Sequence, residues 1–273
     1  MANLKVLFLG DIVGVTGCAM FQKHIDWLRQ EYQVDALIVN GENSSDGHGI
    51  TSRIVRFFKH NHVNVITSGN HVWHNKEIYP YLAQHDDLLR PANYPSDLPG
   101  TGVTTFALHD SLIAIINLQG RVFMREHLAC PFRTAETLLT FLRDKTKVIF
   151  IDFHAEATSE KRALGYFLDG KISGLVGTHT HIQTADEQIL PNGTAYITDL
   201  GMAGSLNSLL GMKSDPIIRR FLTQVPVRFS VETSSPVILT GALIEVDTQT
   251  GSAIDIKRII LRDDSLDIKP HNT

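Results

Sequence analysis

The chain has 273 residues, a length that suits one large α/β domain or two small ones, and 43% of them are hydrophobic and 20% charged, as in an ordinary globular protein. A formal net charge of −4 without a lysine- or arginine-rich run excludes a broad nucleic-acid or membrane-binding surface. No apolar stretch approaches a membrane span, and residues 4–9 are too short for a signal peptide. With only two cysteines, the sequence predicts a cytoplasmic protein with reduced thiols.

The first part of the chain alternates apolar runs with amphipathic segments. Residues 4–9, 36–39 and 63–67 are predicted to be buried strands. Residues 18–30 and 51–60 are predicted to be helices, the second capped by Thr51 or Ser52. Because strands and helices alternate, these strands should form a parallel sheet.

The second part of the chain predicts a further sheet. Residues 103–108 and 112–118 form a hairpin pattern, and residues 237–246 and 253–261 form another. Between them, strands are predicted at 148–152, 175–176 and 195–198, and helices at 134–143 and 160–168. We therefore expect a single domain over residues 1–273 in the α/β class, with two sheets packed face to face between outer helices, a four-layer α-β-β-α sandwich.

Polar side chains with metal-ligand chemistry follow five of the predicted strands. In open α/β sheets, ligands bind outside the carboxyl ends of the strands, so these residues can converge although they are distant in sequence. They are Asp11, Glu42, Asn43, Asn70, His71, His154, His179 and His181.

The composition of this set indicates two metal ions that share a bridging ligand. Mixed nitrogen and oxygen ligands without thiolate favour iron, manganese, zinc or cobalt over a structural zinc site. Each residue alone is more typical of a helix cap, a turn or a solvated surface than of a metal site. Their common position at the ends of successive strands favours the metal site for the set. Two divalent ions, two carboxylates and a bridging hydroxide would leave one positive charge, which suits a phosphodiester monoanion.

Two residues close to His71 have a weaker signal. His74 is a candidate for a substrate contact, although a structural role is favoured. Trp73 could form a wall of a substrate pocket, but core packing is favoured for it.

Five short motifs resemble those of the calcineurin-like metallophosphoesterases. They are Gly10-Asp11, Gly41-Glu42-Asn43, Gly69-Asn70-His71, Asp152-Phe153-His154 and Gly177-Thr178-His179-Thr180-His181. The superfamily usually begins with Asp-x-His, whereas this chain has Val13 at the third position. Its bridging ligand is usually Asp, and here that position is Glu42.

These two departures, with longer matching stretches, resemble the bacterial YmdB-like phosphodiesterases across nearly the whole chain. The stretches are NGENSSDGHGIT, GRVF, CPFRTAE, DFHAEATSEK, GTHTHIQTADEQILPNGTAYITDLGM and SLLGM. The resemblance implies two sheets flanked by helices and a di-iron or di-manganese centre, with iron favoured. It also implies hydrolysis of 2′,3′-cyclic AMP and related nucleotides, and a regulatory role in bacterial physiology.

The resemblance also implies a role for each site residue. One metal would be held by Asp11, Glu42, Asn43 and His181, and the other by Glu42, Asn70, His154 and His179. Glu42 would bridge the two metals, and His71 would be the catalytic histidine that contacts the phosphate and the leaving oxygen.

We therefore expect a phosphodiesterase in which a metal-bridging hydroxide attacks the phosphorus of a small cyclic nucleotide or an RNA-derived phosphodiester, in a homo-oligomer. One alternative is a phosphomonoesterase or protein phosphatase, but a dianionic substrate would prefer Arg or Lys near the site, and the GNH and THTH loops contain neither. The other is a metal-stabilised signalling protein with little turnover, and the intact Gly69-Asn70-His71 motif argues against it.

Overall fold

The computed structural model describes residues 3–268, which form two β-sheets with helices on their outer faces. The helices are α1 (Gly14–Tyr32), α2 (Ser52–His60), α3 (Tyr79–Gln84), α4 (Pro131–Leu142), α5 (Thr158–Leu168) and α6 (Ser214–Thr223), with a short 3-10 helix at Lys76–Ile78. The strands are β1 (Asn3–Leu9), β2 (Asp11–Ile12), β3 (Ala36–Asn40), β4 (Val65–Thr67), β5 (Val103–Leu108), β6 (Ser111–Gln119), β7 (Val148–His154), β8 (Gly174–Thr178), β9 (Gln188–Ile189), β10 (Ala195–Ile197), β11 (Met202–Ser205), β12 (Val237–Asp247) and β13 (Ala253–Asp263).

The first sheet joins the two ends of the chain. β1, β3 and β4 run parallel, as the alternation of strands and helices predicts. β1 also pairs antiparallel with β12, from Asn3 opposite Asp247 to Leu9 opposite Gly241. β12 forms the predicted hairpin with β13 and pairs with β11 through its first residues. β11 pairs in parallel with β2, and this pairing fixes the position of Asp11.

The second sheet has parallel strands in its centre and antiparallel strands at its edges. β6, β7, β8 and β10 run parallel, whereas β5 and β9 pair antiparallel with β6 and β10. His154 lies opposite both Gln119 of β6 and Thr178 of β8. The carboxyl ends of the central strands therefore meet at one edge of the sheet.

The alternation of side chains along the strands explains the four layers. Val6 and Phe8 of β1 face the second sheet, where the rings of Phe8 and Phe150 lie 5.2 Å apart. Leu7 and Leu9 point the opposite way, towards α1 and α2. A third cluster joins the outer face of the second sheet to α4 and α5 through Ile151, Phe153, Leu139 and Leu164. Burial of each of these side chains stabilises the fold by roughly 1.5–3 kcal/mol. The layers lie in the predicted α-β-β-α order, which is therefore confirmed.

Some element boundaries differ from those predicted. α1 begins at Gly14 rather than at residue 18, because Gly14 adopts φ +55° and turns the chain out of β2. β7 continues to His154, so this residue ends the strand instead of following it. Asp11 likewise lies in β2 rather than in a loop. The elements β2, β9, β11 and α3 were not predicted because they are too short to show a clear periodicity. The exposed helix α6, none of whose residues is buried, was also not predicted.

Within residues 3–268, the helices are all too short or too polar to cross a membrane.

Candidate metal centre

Five segments that are distant in sequence meet at the carboxyl ends of the strands. The first sheet contributes β2 and the segments that follow β3 and β4, and the second contributes the end of β7 and the segment after β8. Side-chain contacts of 3.6 Å or less link all eight residues selected from the sequence: Asp11, Glu42, Asn43, Asn70, His71, His154, His179 and His181. The structure therefore brings together every residue that the sequence selected for the candidate site.

One half of the site is centred on the side-chain amide of Asn43. Its Nδ2 lies 3.2 Å from Asp11 Oδ1, 3.3 Å from Glu42 Oε1 and 3.0 Å from His181 Nε2. His181 Nε2 is also 3.6 Å from Asp11 Oδ1. Asp11 and Glu42 are fully buried, so this half holds two carboxylates away from bulk water.

The other half is centred on the ring of His154. Its Nε2 lies 3.0 Å from Asn70 Oδ1, 3.0 Å from His179 Nδ1 and 3.1 Å from Glu42 Oε1. The same Glu42 oxygen therefore contacts both halves. One carboxylate oxygen placed between two sets of potential ligands is the geometry that a bridging ligand requires.

The three histidines present a specific ring nitrogen to the site because the other nitrogen is already bonded. His181 Nδ1 donates to the carbonyl oxygen of Leu210 at 2.9 Å, and His179 Nε2 lies 3.1 Å from the Glu156 carboxylate. His154 Nδ1 lies 3.0 Å from the Thr178 hydroxyl. Such outer partners are typical of metal-binding histidines, since they orient the ring and fix its tautomer.

Thr178 determines the tautomer of His154 through a second hydrogen bond. Its hydroxyl donates its single proton to Asp152 Oδ1 at 2.8 Å, so it accepts from His154 Nδ1. In the neutral ring, the inward Nε2 then has the free lone pair that a metal needs. Asp152 is buried, which raises its pKa to about 6, and it also accepts hydrogen bonds from Asn40 and Thr67.

This outer layer was not assigned from the sequence. Asp152 and Thr178 lie within quoted motifs, but their spacing alone gives no sign that they bond one another. A second buried interaction outside the predicted ligands is the ion pair between Lys161 Nζ and Asp199 Oδ2, at 2.7 Å. Asp199 also accepts from the backbone N–H of Thr180 at 3.1 Å and so supports the segment between the two site histidines.

Charge within the cluster is balanced by coupling between carboxylates and imidazoles. Burial raises the pKa of Glu42, but His154 and His71 outweigh it and hold that pKa well below the usual range. Burial lowers the pKa of His154, and Glu42 and Asp11 then raise it to about 9. Burial and His154 together lower the pKa of His179 to about 3. A metal ion that binds His154 must therefore displace a proton.

The backbone around the site is constrained. His179 and His181 adopt φ values of +104° and +64°, in a region that residues other than glycine rarely occupy. A Cβ atom on Gly69 would overlap the ring of His154 and the carboxylate of Glu42. Only glycine therefore fits beneath these two side chains, and such strain commonly accompanies functional sites.

These features fit a transition-metal ion. Ligand atoms of Glu42, His154 and His179 lie within 4.8 Å of one another, close enough to share one ion. Their chemistry, imidazole nitrogen with carboxylate oxygen, suits zinc, manganese or iron. This group of three residues supports the metal-binding character predicted from the sequence.

A cavity of about 480 Å³ opens beside the site. Asn70, His71 and His179 line it, together with residues of the segment after β6. Trp73 both lines the cavity and packs edge-on against Tyr79 and Tyr94, so the two roles considered for it coexist. The exposed His74 also lines the cavity, where a substrate could reach it. Further lining residues are Phe123, Met124, Arg125 and Glu126.

Comparison with known proteins identifies the family. The family model for YmdB-like proteins matches residues 7–259, which is most of the chain. The chain belongs to the YmdB-like family. A relative from Bacillus subtilis (strain 168), the 2′,3′-cyclic-nucleotide 2′-phosphodiesterase, is 45% identical over 263 residues, covering 96% of this chain and 99% of the relative. The resemblance stated from the motifs is therefore confirmed.

Two solved structures at 34–35% identity share the fold of this chain. A phosphatase from Mycoplasma pneumoniae superposes with a TM-score of 0.91 at 35% identity, covering 97% of this chain and 95% of that one. A Thermus thermophilus protein described as hypothetical superposes with a TM-score of 0.88 at 34% identity, covering 95% of this chain and 100% of that one. The expected fold class is confirmed by these likenesses as well as by the layers.

Proposed function

We propose that the chain is a metal-dependent phosphodiesterase that hydrolyses 2′,3′-cyclic nucleotides at a centre of two transition-metal ions, iron or manganese. The observation that carries the proposal is the position of Glu42 Oε1, which contacts both halves of the site, at Asn43 and at His154. The activity of the Bacillus subtilis relative supports the choice of substrate.

Each half of the site supplies ligands of the required kind. Asp11, Asn43 and His181 would hold one ion, Asn70, His154 and His179 would hold the other, and Glu42 would belong to both. When bound, such a pair neutralises charge on the phosphoryl group and makes a water molecule acidic enough to act as a nucleophile near neutral pH.

His71 is placed to act on the substrate. It lines the cavity, and its side chain is 30% exposed, whereas Glu42 and His154 are fully buried. Its backbone N–H donates to Glu42 Oε2 at 3.1 Å, which holds the residue beside the bridging carboxylate. We assign it the transfer of a proton to the departing ribose oxygen, since histidine is the commonest general acid in such steps.

A phosphomonoesterase is the second candidate, and one residue favours it. The loops at residues 69–71 and 178–181 contain no Arg or Lys. The structure, however, brings Arg125 to the cavity from the segment after β6. A guanidinium there could pair with a dianionic phosphate. The Mycoplasma pneumoniae structure is described as a phosphatase.

A substrate panel separates the two candidates. Metal-loaded protein is assayed with 2′,3′-cyclic AMP, 3′,5′-cyclic AMP, 3′-AMP and p-nitrophenyl phosphate. We expect the 2′,3′-cyclic nucleotide to have the highest kcat/KM and to give a monophosphate that is not degraded further. Preferred release of phosphate from the monoesters would overturn the proposal in favour of the second candidate, and failure to turn over the panel would indicate a signalling protein.

Two further expectations remain predictions. A cytoplasmic location fits a small nucleotide substrate and unpaired cysteines, and fractionation of cells would test it. A homo-oligomer is also expected, and light scattering of the purified protein would test it.

A further inference from the structure

The segment between β6 and α4 forms one wall of the cavity beside the candidate metal centre. Its residues Phe123 to Glu126 line the cavity together with Asn70, His71 and His179. A substrate phosphate held at the predicted ligands would therefore place the rest of the molecule against this segment. At about 480 Å³, the cavity lies within the range of small-ligand sites.

Phe123 presents its ring to solvent at this wall. The residue is 87% exposed, the largest exposed fraction among the large hydrophobic side chains of residues 3–268. Its backbone adopts φ +62°, in the left-handed region that a phenylalanine rarely occupies. A single exposed apolar residue is common and needs no explanation. Backbone strain clusters at functional sites, so a strained and exposed aromatic ring beside the cavity indicates a role in ligand binding.

The segment is anchored directly to the candidate metal centre. Gly120 donates its backbone N–H to the carbonyl oxygen of His154 at 2.9 Å. The backbone N–H groups of Arg121 and Val122 donate to the buried carboxylate of Glu160 at 3.0–3.1 Å. The position of the Phe123 backbone is therefore tied to that of His154, at a distance set by the fold.

We propose that Phe123 is the platform on which the base of the substrate nucleotide stacks, and that it determines the preference of the enzyme for nucleotides over simple phosphodiesters. This inference rests on the proposed function, because it assumes that the cyclic phosphate lies at the predicted ligands. Stacking on an aromatic ring accepts every base and favours purines, which offer the larger ring face. The adjacent Arg125 and Glu126 line the same wall and can reach polar groups of the base or ribose.

The test compares substrates with and without a base. Phe123→Ala, Phe123→Trp and the control Phe141→Ala, a 66% exposed phenylalanine on α4, are prepared with metal. kcat/KM is measured with 2′,3′-cyclic AMP and with ribose 2′,3′-cyclic phosphate. We expect Phe123→Ala to lower kcat/KM for the nucleotide roughly 5- to 150-fold, mainly through KM, and to leave the base-free substrate unchanged. Phe123→Trp should retain activity, and Phe141→Ala should match the wild type.

Binding of the product separates this inference from the proposed function. Calorimetry with 3′-AMP needs no turnover, so it reports on the stacking site even if the enzyme prefers another substrate. A weaker affinity of Phe123→Ala for 3′-AMP, with unchanged affinity for inorganic phosphate, supports the platform. Equal losses for both ligands, or no loss for 3′-AMP, would overturn it. Lack of turnover of 2′,3′-cyclic AMP by the wild type would instead count against the proposed function.

Discussion

The Nδ1 atom of His71 lies 2.7 Å from the side-chain oxygen of Asn43, and the Nδ2 atom of the same amide faces Asp11, Glu42 and His181. One amide thus connects the residue assigned to proton transfer with one half of the candidate metal centre. An amide nitrogen cannot bind a metal, so Asn43 becomes a ligand only when its side chain is rotated to turn the oxygen inward. Its nitrogen would then donate to His71 Nδ1, and in both orientations Nε2 is the ring nitrogen left for the substrate.

The first prediction separates His71 from the ligands. His71→Ala should retain both metals and the fold but slow turnover of 2′,3′-cyclic AMP by roughly 10²- to 10⁴-fold, as expected for loss of a general acid. The loss should be smaller for nitrophenyl phosphodiesters, because their leaving groups need no proton. Metal content and kcat for both substrates are measured. His154→Ala is the comparison, and it should lose metal. Equal slowing of both substrates would show that His71 is not the proton donor.

The second prediction concerns the bridge. Glu42→Gln should lose metal from both halves of the site, because a neutral amide is a poor bridging ligand for two cations. Elemental analysis should give about two ions per chain for the wild type and much less for the variant, with a parallel loss of activity. Glu136→Gln, at an exposed carboxylate on α4, serves as the control. One ion per chain in the wild type would contradict the dinuclear site.

The third prediction concerns the space beneath the ligands. Gly69→Ala places a methyl group against His154 and Glu42, so it should weaken metal binding by roughly 10- to 100-fold, as other disturbances of ligand orientation do. Gly204→Ala is the matched control, since the nearest atom to its Cβ would lie 3.4 Å away. Metal affinity is measured by competition with a chelator. Unchanged metal affinity in Gly69→Ala would show that the segment after β4 shifts to accommodate the methyl group, and would contradict the prediction.

The fourth prediction concerns pH and stability, away from the metal site. Asp263 on β13 accepts from Lys23 Nζ at 2.5 Å and pairs with His24 Nε2 at 2.8 Å, both on α1. The hydrogen bond from Lys23, aided by His24 and Ser265, holds the pKa of Asp263 well below its usual range. Because the folded-state pKa is depressed, the stabilisation is present above the unfolded pKa of about 3.9 and is lost as pH falls below it.

Asp263→Asn should therefore lower the free energy of unfolding by about 1–2 kcal/mol at pH 7. The difference from the wild type should narrow as the pH falls from about 5 to about 3. Urea unfolding of chelator-treated protein at several pH values measures this. Asp264→Asn, at the exposed neighbour paired with Arg262, should have little effect at any pH. A difference that does not vary with pH would exclude the ionised carboxylate as its source.

Convergence of the candidate ligands could be predicted because these residues follow strands whose order can be recognised. Glu42 follows an apolar run that reads clearly as β3, and Asn70 follows one that reads as β4. Their approach to His154 then follows from the shared edge of parallel strands. Contacts between side chains have no such signature. The bond from Thr178 to Asp152 and the approach of Phe123 to the cavity depend on packing of the two sheets and on a strained loop.

The residues around Glu42 come from both sheets, and Asp11 and His181 lie at opposite ends of the proposed ligand set in sequence. The first sheet itself needs β12, which lies beyond residue 236 and pairs with β1. During synthesis, therefore, the nascent chain exposes isolated aspartate, glutamate and histidine side chains long before they can cooperate. If the proposed centre forms, metal insertion would be a late step in the maturation of the protein, and the bound metal would link residues of the first sheet to residues of the second.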